Sequence, residues 1–278
     1  MGGAVIRTRA LRGGMSSAVH EIAVQLTGGA VTQVVLRRYV RPEVNLEEPD
    51  IAEREQHALQ LTEATDIPTP RLLGCDPTGT DAGVPSLLMS RLPGRLVWSP
   101  THMEVWLRRL AAVLAPIHAT PLPAQHGIRP FAPYEPERWD PPPWLRRPSL
   151  WSRAVDIFHG PVLDAPNVFI HRDYHPGNVL WRRGRVAGVV DWQAASIGPA
   201  SIDVGFCRLN LLRRFDFQVA ARFTDLCEDL THTRYHPWAE VVLLVDVLDS
   251  GHDTPPRDQE TLEGMLARAL AELTGTPR

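Results

Sequence analysis

Hydrophobic and polar positions follow two different periods along this chain of 278 residues. Residues 5–40 show the period of β-strands: Ile22, Val24 and Leu26 recur at every second position, and the run VTQVVLRRYV is rich in β-branched residues. Gly-Gly pairs at 13–14 and 28–29 separate the runs as turn signals. The pattern predicts antiparallel β structure in this part of the chain.

Helical signals follow from Glu53 in the segment EREQHALQLTEA, and two short apolar runs, PTPRLLG and PSLLMSRLPG, lead to Gly94. From Thr101 the chain becomes mostly helical in pattern, and Thr101 with Glu104 predicts a capping box. The apolar stripe of this helix consists of Leu107, Leu110, Leu114 and Ile117.

The remaining pattern predicts a loop, a hairpin and further helices. Residues 121–150 hold nine prolines and are expected to be irregular. The segments NVLW and VAGVVDW predict a hairpin around Arg182–Arg185, and helices follow. The last helix is expected near 258–274, with Gly275 as its stop signal and an apolar face made of Leu262, Leu266, Leu270 and Leu273.

Composition excludes several classes of function. The 29 positive charges are all arginines, because the chain contains no lysine, and the net charge of −3 argues against a nucleic-acid partner. The three cysteines are widely separated, so we expect neither a disulfide framework nor a zinc site, and a reducing cytoplasm is the expected compartment. The apolar run VVLLVDVL is too short to span a bilayer, and the first residues lack the apolar stretch of a secretion signal, so no membrane role is expected.

The stretch FIHRDYHPGNVLW, residues 169–181, carries the candidate chemistry. Phosphoryl transfer needs a carboxylate that orients or accepts the proton of the attacking hydroxyl, and oxygen ligands that hold Mg²⁺ on the nucleotide phosphates. Asp173 is the candidate base. Asn178 can offer an amide oxygen to the metal, and the hairpin that follows supplies Asp191 as a charged ligand.

Two simpler interpretations explain less. His171 and His175 have the spacing of a zinc pair, but Pro176 and Gly177 make a helix implausible, and the glutamate of the known zinc motif is missing. A purely structural turn accounts for the proline and the glycine only. It leaves four polar residues in apolar surroundings without a reason, namely Asp173, Asn178, Asp191 and Asp203.

The segment HRDYHPGNVLW followed by VVDWQAASIGPASIDVGF resembles the catalytic segment of the aminoglycoside phosphotransferase and choline kinase-like family, which shares the bilobal fold of protein kinases. The match is tightest over Ile170 to Phe206 and looser over most of the chain. The resemblance implies that Asp173 is the catalytic base and that Asn178 and Asp191 bind Mg²⁺. It also implies that Asp203 braces the catalytic loop and that His171 holds the loop by hydrogen bonding.

The resemblance extends to the nucleotide site. The segment LRGGMSSAVH is similar to the family's nucleotide-covering loop, in which Gly14, Ser16 and Ser17 bring backbone N–H groups to the β-phosphate. The segment MSRL is similar to the hinge, in which the C=O of Ser90 and the N–H of Leu92 hydrogen-bond adenine.

One position departs from the family pattern. The lysine that usually pairs the α- and β-phosphates is absent, and Arg37 fits its place on the third strand. Its expected ion-pair partner is Glu55, with Glu53 as the alternative. A guanidinium can also bridge phosphate oxygens, although its geometry differs from that of an ammonium.

Asp191 and Asp203 are separated by eleven residues, which leaves no room for a long activation loop of the protein kinase type. We therefore expect an α+β, bilobal protein kinase-like fold with a nucleotide-binding lobe at 1–90 and a mostly helical, acceptor-binding lobe at 91–278. The expected activity is transfer of the γ-phosphoryl group of ATP or GTP to a hydroxyl of a small molecule. No obligate protein partner is evident, and the alternative is a silent pseudokinase that binds nucleotide.

The acceptor stays open at the level of sequence. Relatives of this fold take aminoglycosides, macrolides, choline-like alcohols, homoserine and sugar derivatives. Residues 203–278 hold thirteen acids and eight arginines, whereas residues 95–202 hold twelve arginines and eight acids. This acidic excess suits a polycationic acceptor such as an aminoglycoside, but it also fits an ordinary solvated helix surface, and a neutral or choline-like metabolite is the alternative.

Overall fold

A computed structural model describes residues 3–11, 17–134, 139–249 and 256–274. The chain forms two compact units, and each unit draws on three separate stretches of sequence. Unit 1 comprises Met1–Trp98, Thr120–Arg129 and Gly177–Ala195. Unit 2 comprises Ser99–Ala119, Pro130–Pro176 and Ser196–Arg278. The expected division into 1–90 and 91–278 is contiguous, whereas these two units are interleaved along the chain.

Unit 1 is built on a five-stranded antiparallel sheet with the strand order β1-β2-β3-β5-β4. The alternating and β-branched runs of the sequence become its first three strands, and Gly29, with a φ of +82°, occupies the turn between β2 and β3. The register places Arg37 of β3 between Val19 of β2 and Leu87 of β5. The strands are β1 Gly3–Ala10, β2 Ala18–Leu26, β3 Val31–Arg38, β4 Leu72–Asp76 and β5 Ser86–Ser90.

Two helices and a hairpin complete unit 1. The helices are α1 Pro42–Glu47 and α2 Ile51–Glu63, and α2 buries Glu55 together with its apolar side chains. The hairpin consists of β7 Val179–Arg182 and β8 Arg185–Val189. Backbone hydrogen bonds join it to the rest of the unit, because Arg95 and Trp181 pair in both directions at 3.0 and 2.8 Å and Val189 donates to Pro68 at 2.8 Å. These bonds explain why residues 177–195 belong to unit 1.

Unit 2 is mostly helical, with one short antiparallel strand pair. Its strands are β6 Asn167–Ile170 and β9 Ser196–Pro199, and its helices are α3 Met103–Ala112, α4 Leu114–His118, α5 Pro148–Phe158, α6 Ser201–Arg214, α7 Phe217–Thr231, α8 Trp238–Asp249 and α9 Pro256–Leu273. One buried cluster of its core consists of Phe131, Ile170, Ile202, Trp238, Ala239, Val242 and Leu243. In the described part of the proline-rich region 121–150, α5 begins at Pro148, the first-turn position that proline tolerates.

The apolar stripe predicted from Leu107 to Ile117 is buried, but the capping box at its start is wrong. The helix begins at Met103, and its N-cap residue, His102, makes no side-chain capping bond. Glu104 instead accepts hydrogen bonds from Nε and Nη2 of Arg222 on α7, at 3.0 and 2.6 Å. The tertiary ion pair has therefore replaced the local cap.

In the part of the chain that the structure describes, no helix combines the length and the apolar character that crossing a bilayer requires.

Candidate active site

The predicted site residues fall into two groups, one in each unit. Unit 1 contains Ser17, Arg37, Glu55, Ser90, Leu92, Asn178 and Asp191. Unit 2 contains His171, Asp173 and Asp203. Gly14 and Ser16 lie outside the described residues.

Arg37 is the centre of the group in unit 1. Its Nη1 donates to both carboxylate oxygens of Glu55 at 3.0 Å each and to Oδ1 of Asp191 at 2.7 Å. The expected pair with Glu55 is thus present, and Glu53 is not the partner found. Tyr39, which sequence reasoning missed, donates its hydroxyl to Oε2 of Glu55 at 2.9 Å, and the backbone N–H of Trp192 donates to Oε1 at 3.3 Å.

Burial and charge oppose each other in this cluster. Burial alone would lower the pKa of the Arg37 guanidinium, but the Glu55 and Asp191 carboxylates outweigh it and raise that pKa well above its usual value. Burial raises the pKa of the Glu55 carboxyl, and Arg37 offsets only part of the rise. Burial and the Glu55 charge raise the pKa of Tyr39. Arg37 therefore stays a cation in the interior of unit 1.

Asn178 and Asp191 form the candidate metal pair. Asn178 ends a short 3-10 turn, Pro176–Asn178, and its backbone C=O accepts from the N–H of Val190 at 2.9 Å. Asp191 follows β8 with a φ of +72°, a left-handed conformation that is uncommon outside glycine. The Arg37 bond engages Oδ1 of Asp191 and leaves Oδ2 outside that interaction. The side-chain amide oxygen of Asn178 and the carboxylate oxygens of Asp191 are hard oxygen atoms, the kind of ligand that Mg²⁺ prefers.

A cavity of about 370 Å³ opens on this cluster within unit 1. We call it the Arg37 cavity, and its walls include five of the predicted site residues, namely Arg37, Ser90, Leu92, Asn178 and Asp191. Apolar side chains from the sheet and the hairpin also line it, among them Val19, Val35, Met89 and Leu180. The volume lies in the range of small-molecule sites. Ser17 is buried but is not among the lining residues.

A second charged group on the wall of the Arg37 cavity was not foreseen from the sequence. Glu21 of β2 is buried and accepts hydrogen bonds from Arg91 Nε at 2.5 Å and from Arg9 Nη2 at 3.2 Å. Nη2 of Arg7 lies 3.7 Å from its other oxygen. The hydrogen bond from Arg91 lowers the pKa of the Glu21 carboxyl. Through Glu21 of β2, these contacts link Arg91, which follows β5, to Arg7 and Arg9 of β1.

Asp203 is the centre of the group in unit 2. This fully buried carboxylate on α6 accepts hydrogen bonds from the backbone N–H of His171 at 3.0 Å and of Arg172 at 2.7 Å. Residues 171–176 are called the Asp173 loop below. The two hydrogen bonds join Asp203 to the backbone that directly precedes Asp173.

Arg172 gives the loop a strained backbone, since its φ is +68°. Its guanidinium lies 4.1 Å from the centre of the Tyr134 ring and 5.1 Å from that of Phe131, and it donates to the C=O of Ala132 at 2.6 Å. The segment 131–134 and Asp203 therefore hold the two ends of Arg172 in place. Asp173 follows directly, partly exposed, with its Oδ1 3.7 Å from Nε2 of His175.

His118, at the end of α4, is a further residue of the group around Asp203 and was not singled out by the sequence pattern. Its Nε2 lies 3.0 Å from Oδ2 of Asp203. His118 comes four residues after Leu114 and so shares the buried face of that helical stripe. A polar ring on such a face requires a partner, which is the signal that could have indicated an acid nearby.

The comparisons with known proteins agree with this fold. A profile of the phosphotransferase enzyme family (APH) matches residues 9–238. A thermostable mutant of aminoglycoside phosphotransferase APH(4)-Ia, in a ternary complex with ADP and hygromycin B, is similar over 99% of this chain and 96% of its own, with a TM-score of 0.67 and 18% identity. ADP-bound aminoglycoside phosphotransferase APH(2'')-Ib is similar over 94% and 92%, with a TM-score of 0.57 and 14% identity.

A shorter match links the chain to a curated relative. N-acetylmuramate/N-acetylglucosamine kinase of Neisseria meningitidis serogroup B is 41% identical over 69 residues, which are 25% of this chain and 19% of that protein. The chain thus matches about a fifth of the length of this relative. The structural likeness confirms the predicted α+β, protein kinase-like fold. Because the family profile matches well over half of the sequence, the chain belongs to the phosphotransferase enzyme family.

Proposed function

We propose that the protein is a small-molecule kinase, a phosphotransferase with an alcohol group as acceptor, which moves the γ-phosphoryl group of ATP or GTP to a hydroxyl. One observation carries the proposal: a single buried nitrogen, Nη1 of Arg37, is bonded to both Glu55 and Asp191 on the wall of a ligand-sized cavity. A buried cation held by two acids beside a cavity is suited to a phosphate chain that brings its own divalent metal. Nucleotide as donor is supported by neighbours of this fold that were solved with ADP and with AMP-PNP.

The residues of unit 1 are assigned to the donor. Arg37 contacts phosphate oxygens, while Glu55 and Tyr39 fix its position. The backbone C=O of Ser90 and N–H of Leu92 bind adenine, and the backbone N–H of Ser17 binds the β-phosphate. Gly14 and Ser16, outside the described residues, stay predicted phosphate contacts.

Asn178 and Asp191 would hold Mg²⁺ on the phosphates. The bound metal would neutralise the negative charge that develops on the transferred phosphoryl group. Arg37 keeps Oδ1 of Asp191 engaged, so that the carboxylate is oriented before nucleotide arrives. This orientation is the contribution of the chain itself.

The residues of unit 2 are assigned to the acceptor. Asp173 accepts the proton of the acceptor hydroxyl as the hydroxyl oxygen forms its bond to the γ-phosphorus and the bond to the β-phosphate oxygen breaks. Asp203 and His171 act as positioning residues, because the hydrogen bonds from the backbone N–H groups of His171 and Arg172 to Asp203 fix the backbone that carries Asp173. His118 is also a positioning residue, because its Nε2 lies 3.0 Å from Oδ2 of Asp203 and so helps to fix that carboxylate.

An amino sugar is the acceptor class that the comparisons favour. The family neighbours include aminoglycoside phosphotransferases, one of them with hygromycin B bound, and the short match is to a kinase named for two N-acetylated amino sugars. Aminoglycosides and N-acetylhexosamines share a sugar hydroxyl next to an amino-substituted carbon. Cytoplasmic ATP would serve such an enzyme, and the three cysteines are free thiols, which is in keeping with a reducing compartment.

A panel assay tests the proposal. Purified protein would be incubated with Mg·ATP labelled at the γ-phosphate and with N-acetylglucosamine, N-acetylmuramate, hygromycin B or choline. We expect label on at least one amino sugar, and labelling that is slower by about 10²- to 10⁴-fold with the Asp173→Asn variant. If nucleotide stabilised the protein against heat but the protein neither transferred phosphate nor slowly hydrolysed ATP, it would be the silent pseudokinase. Label on choline alone would overturn the assignment of an amino sugar as acceptor.

A further inference from the structure

A second cavity, of about 420 Å³, lies within unit 2. It is bordered by the end of α4, the segment before β6, the junction of β9 with α6 and the segment after α7. We call it the His118 cavity, after the side chain that connects it to Asp203. None of its lining residues, all from the described part of the chain, belongs to the Asp173 loop or to the Arg37 cavity. Its volume is that of a small-molecule site.

The walls of the His118 cavity favour an apolar occupant. Most of the surface comes from aliphatic side chains and prolines, including Ala115, Leu163, Pro166, Val168, Pro199 and Leu230. The charged side chains are Asp164 and Arg234, and the Arg234 side chain is 90% exposed with its Nη1 bonded to Glu228 at 2.6 Å. Arg234 therefore faces solvent and is paired with an acid, and Asp164 is exposed as well. Among the described residues, the inner wall of the cavity thus presents no charged side chain that would bind an ionic ligand.

His118 is one of the polar side chains on the wall of this cavity, together with Ser201, Thr231, Thr233 and His236. Its side chain is only 8% exposed, and Nε2 is engaged with Asp203. The Asp203 carboxylate already accepts two backbone N–H groups and can only accept, so Nε2 carries the hydrogen and donates it. In the neutral ring, Nδ1 then presents a lone pair. This atom is buried and has no hydrogen-bond partner among the described residues, which is unusual for a buried polar group.

We propose that the His118 cavity binds a small, apolar molecule that carries one N–H or O–H donor and gives this hydrogen to Nδ1 of His118. The occupant satisfies the buried acceptor and fixes the imidazole in the orientation in which Nε2 donates to Asp203. Asp203 in turn holds the backbone of His171 and Arg172. A ligand in the cavity is thus linked to the Asp173 loop by a continuous series of hydrogen bonds, and it restrains the loop.

Indole and benzofuran form a matched pair of probes, since they have nearly the same size and shape but only indole carries an N–H donor. We expect indole to bind about 2- to 10-fold more tightly than benzofuran, which is the range of one net hydrogen bond. Ala115→Phe fills the cavity and should abolish binding of both probes. Ala112→Phe, at an exposed position of α3 that does not line the cavity, is the control and should bind both probes as the parent does.

Amide hydrogen exchange tests the link to the Asp173 loop without any reference to phosphoryl transfer. Saturating indole should slow exchange of the His171 and Arg172 amides, the donors to Asp203, by several-fold in the parent and leave them unchanged in Ala115→Phe. Equal affinity for indole and benzofuran, or undiminished binding by Ala115→Phe, would overturn the site. Unchanged exchange at saturation would overturn the link. Neither result depends on whether the protein is a kinase.

Discussion

Unit 1 and unit 2 hold their parts of the candidate site with different kinds of bonds. In unit 1, Arg37 is fixed by side-chain charges, through Glu55 and Asp191, which are 18 and 154 positions away in the sequence. In unit 2, Asp203 fixes backbone N–H groups and leaves the side chain of Asp173 partly exposed. The carboxylates that bind Arg37 can give way to phosphate oxygens when a nucleotide binds. The backbone hydrogen bonds to Asp203, by contrast, keep the strained Asp173 loop in one conformation. Substitutions in unit 1 should therefore change nucleotide affinity first, and those in unit 2 should change loop geometry and stability first.

The largest effect is expected for Asp203→Ala. The variant leaves two buried N–H groups and His118 without their acceptor, so we expect a loss of about 3 to 5 kcal/mol in the free energy of unfolding. Asp203→Asn keeps one acceptor oxygen and should lose less. Urea titration of both variants measures this, and a loss below about 1 kcal/mol for Asp203→Ala would show that the bracing bonds are not structural.

Arg37→Ala should weaken Mg·ATP binding by about 10- to 100-fold, the value of a charge-assisted hydrogen bond. All three bonds of Arg37 come from the single nitrogen Nη1, as they would from an ammonium, so Arg37→Lys should bind closer to the parent than Arg37→Ala does. Isothermal titration measures both.

Arg38→Ala is the matched control, because Arg38 follows Arg37 on β3 but does not line the Arg37 cavity, and its side chain donates to the C=O of Ala82 at the surface. If Arg38→Ala lost affinity and Arg37→Ala kept it, the assignment of the phosphate contact would be wrong by one residue.

Asp246 on α8 provides a contrast to Asp203 within unit 2. Burial raises the pKa of the Asp246 carboxyl from 3.8 to about 7, and Arg172 and the N–H of Tyr134 offset only part of that rise. A folded-state pKa above the unfolded value means that the contribution to stability is complete below pH 4 and is lost as the pH rises through 7. Asp246→Asn stays neutral, so its free energy of unfolding should gain on the order of 4 kcal/mol relative to the parent between pH 4 and pH 8. Urea titrations at the two pH values measure the change, and parallel curves for parent and variant would contradict it.

A smaller effect is expected from two buried tyrosines, one in each unit. Tyr39 donates to Glu55 at 2.9 Å, and Tyr174 donates to the C=O of Leu110 at 2.7 Å. Each Tyr→Phe change should cost about 1 kcal/mol of stability. Only Tyr39→Phe should also weaken Mg·ATP binding, by about 2- to 5-fold, because Glu55 positions Arg37. Calorimetry on the two variants tests this, and an equal change in affinity for both would remove the distinction between the units.

The sequence predicted the parts of this structure that depend on local pattern or on one motif. Strand and helix periodicity anticipated the first three strands and the buried stripe through Ile117, and the family resemblance implied the pair of Arg37 with Glu55. The bond from Arg37 to Asp191 could not be read from sequence, because it joins residues 154 positions apart and depends on tertiary placement of the hairpin.

The same limit explains the residues that were missed or misjudged. His118 finds its acid 85 positions further along the chain, and Glu21 collects arginines from β1 and from the segment after β5. Thr101 and Glu104 have the spacing of a capping box, but Arg222 offers Glu104 a charged partner, which a local motif cannot reveal. The functional roles of the site residues stay predictions until variants are measured.

The most direct test of the account separates Asp173 from Asp191, since one is assigned to the acceptor proton and the other to the metal. Mg·ATP dissociation constants and single-turnover transfer rates would be measured for Asp173→Asn and Asp191→Asn with the acceptor found in the panel assay. Asp173→Asn should lose about 10²- to 10⁴-fold in rate and keep its affinity for Mg·ATP, whereas Asp191→Asn should lose both, because a neutral amide replaces a charged metal ligand. Equal losses of Mg·ATP affinity in the two variants would contradict the assignment of base and metal ligand.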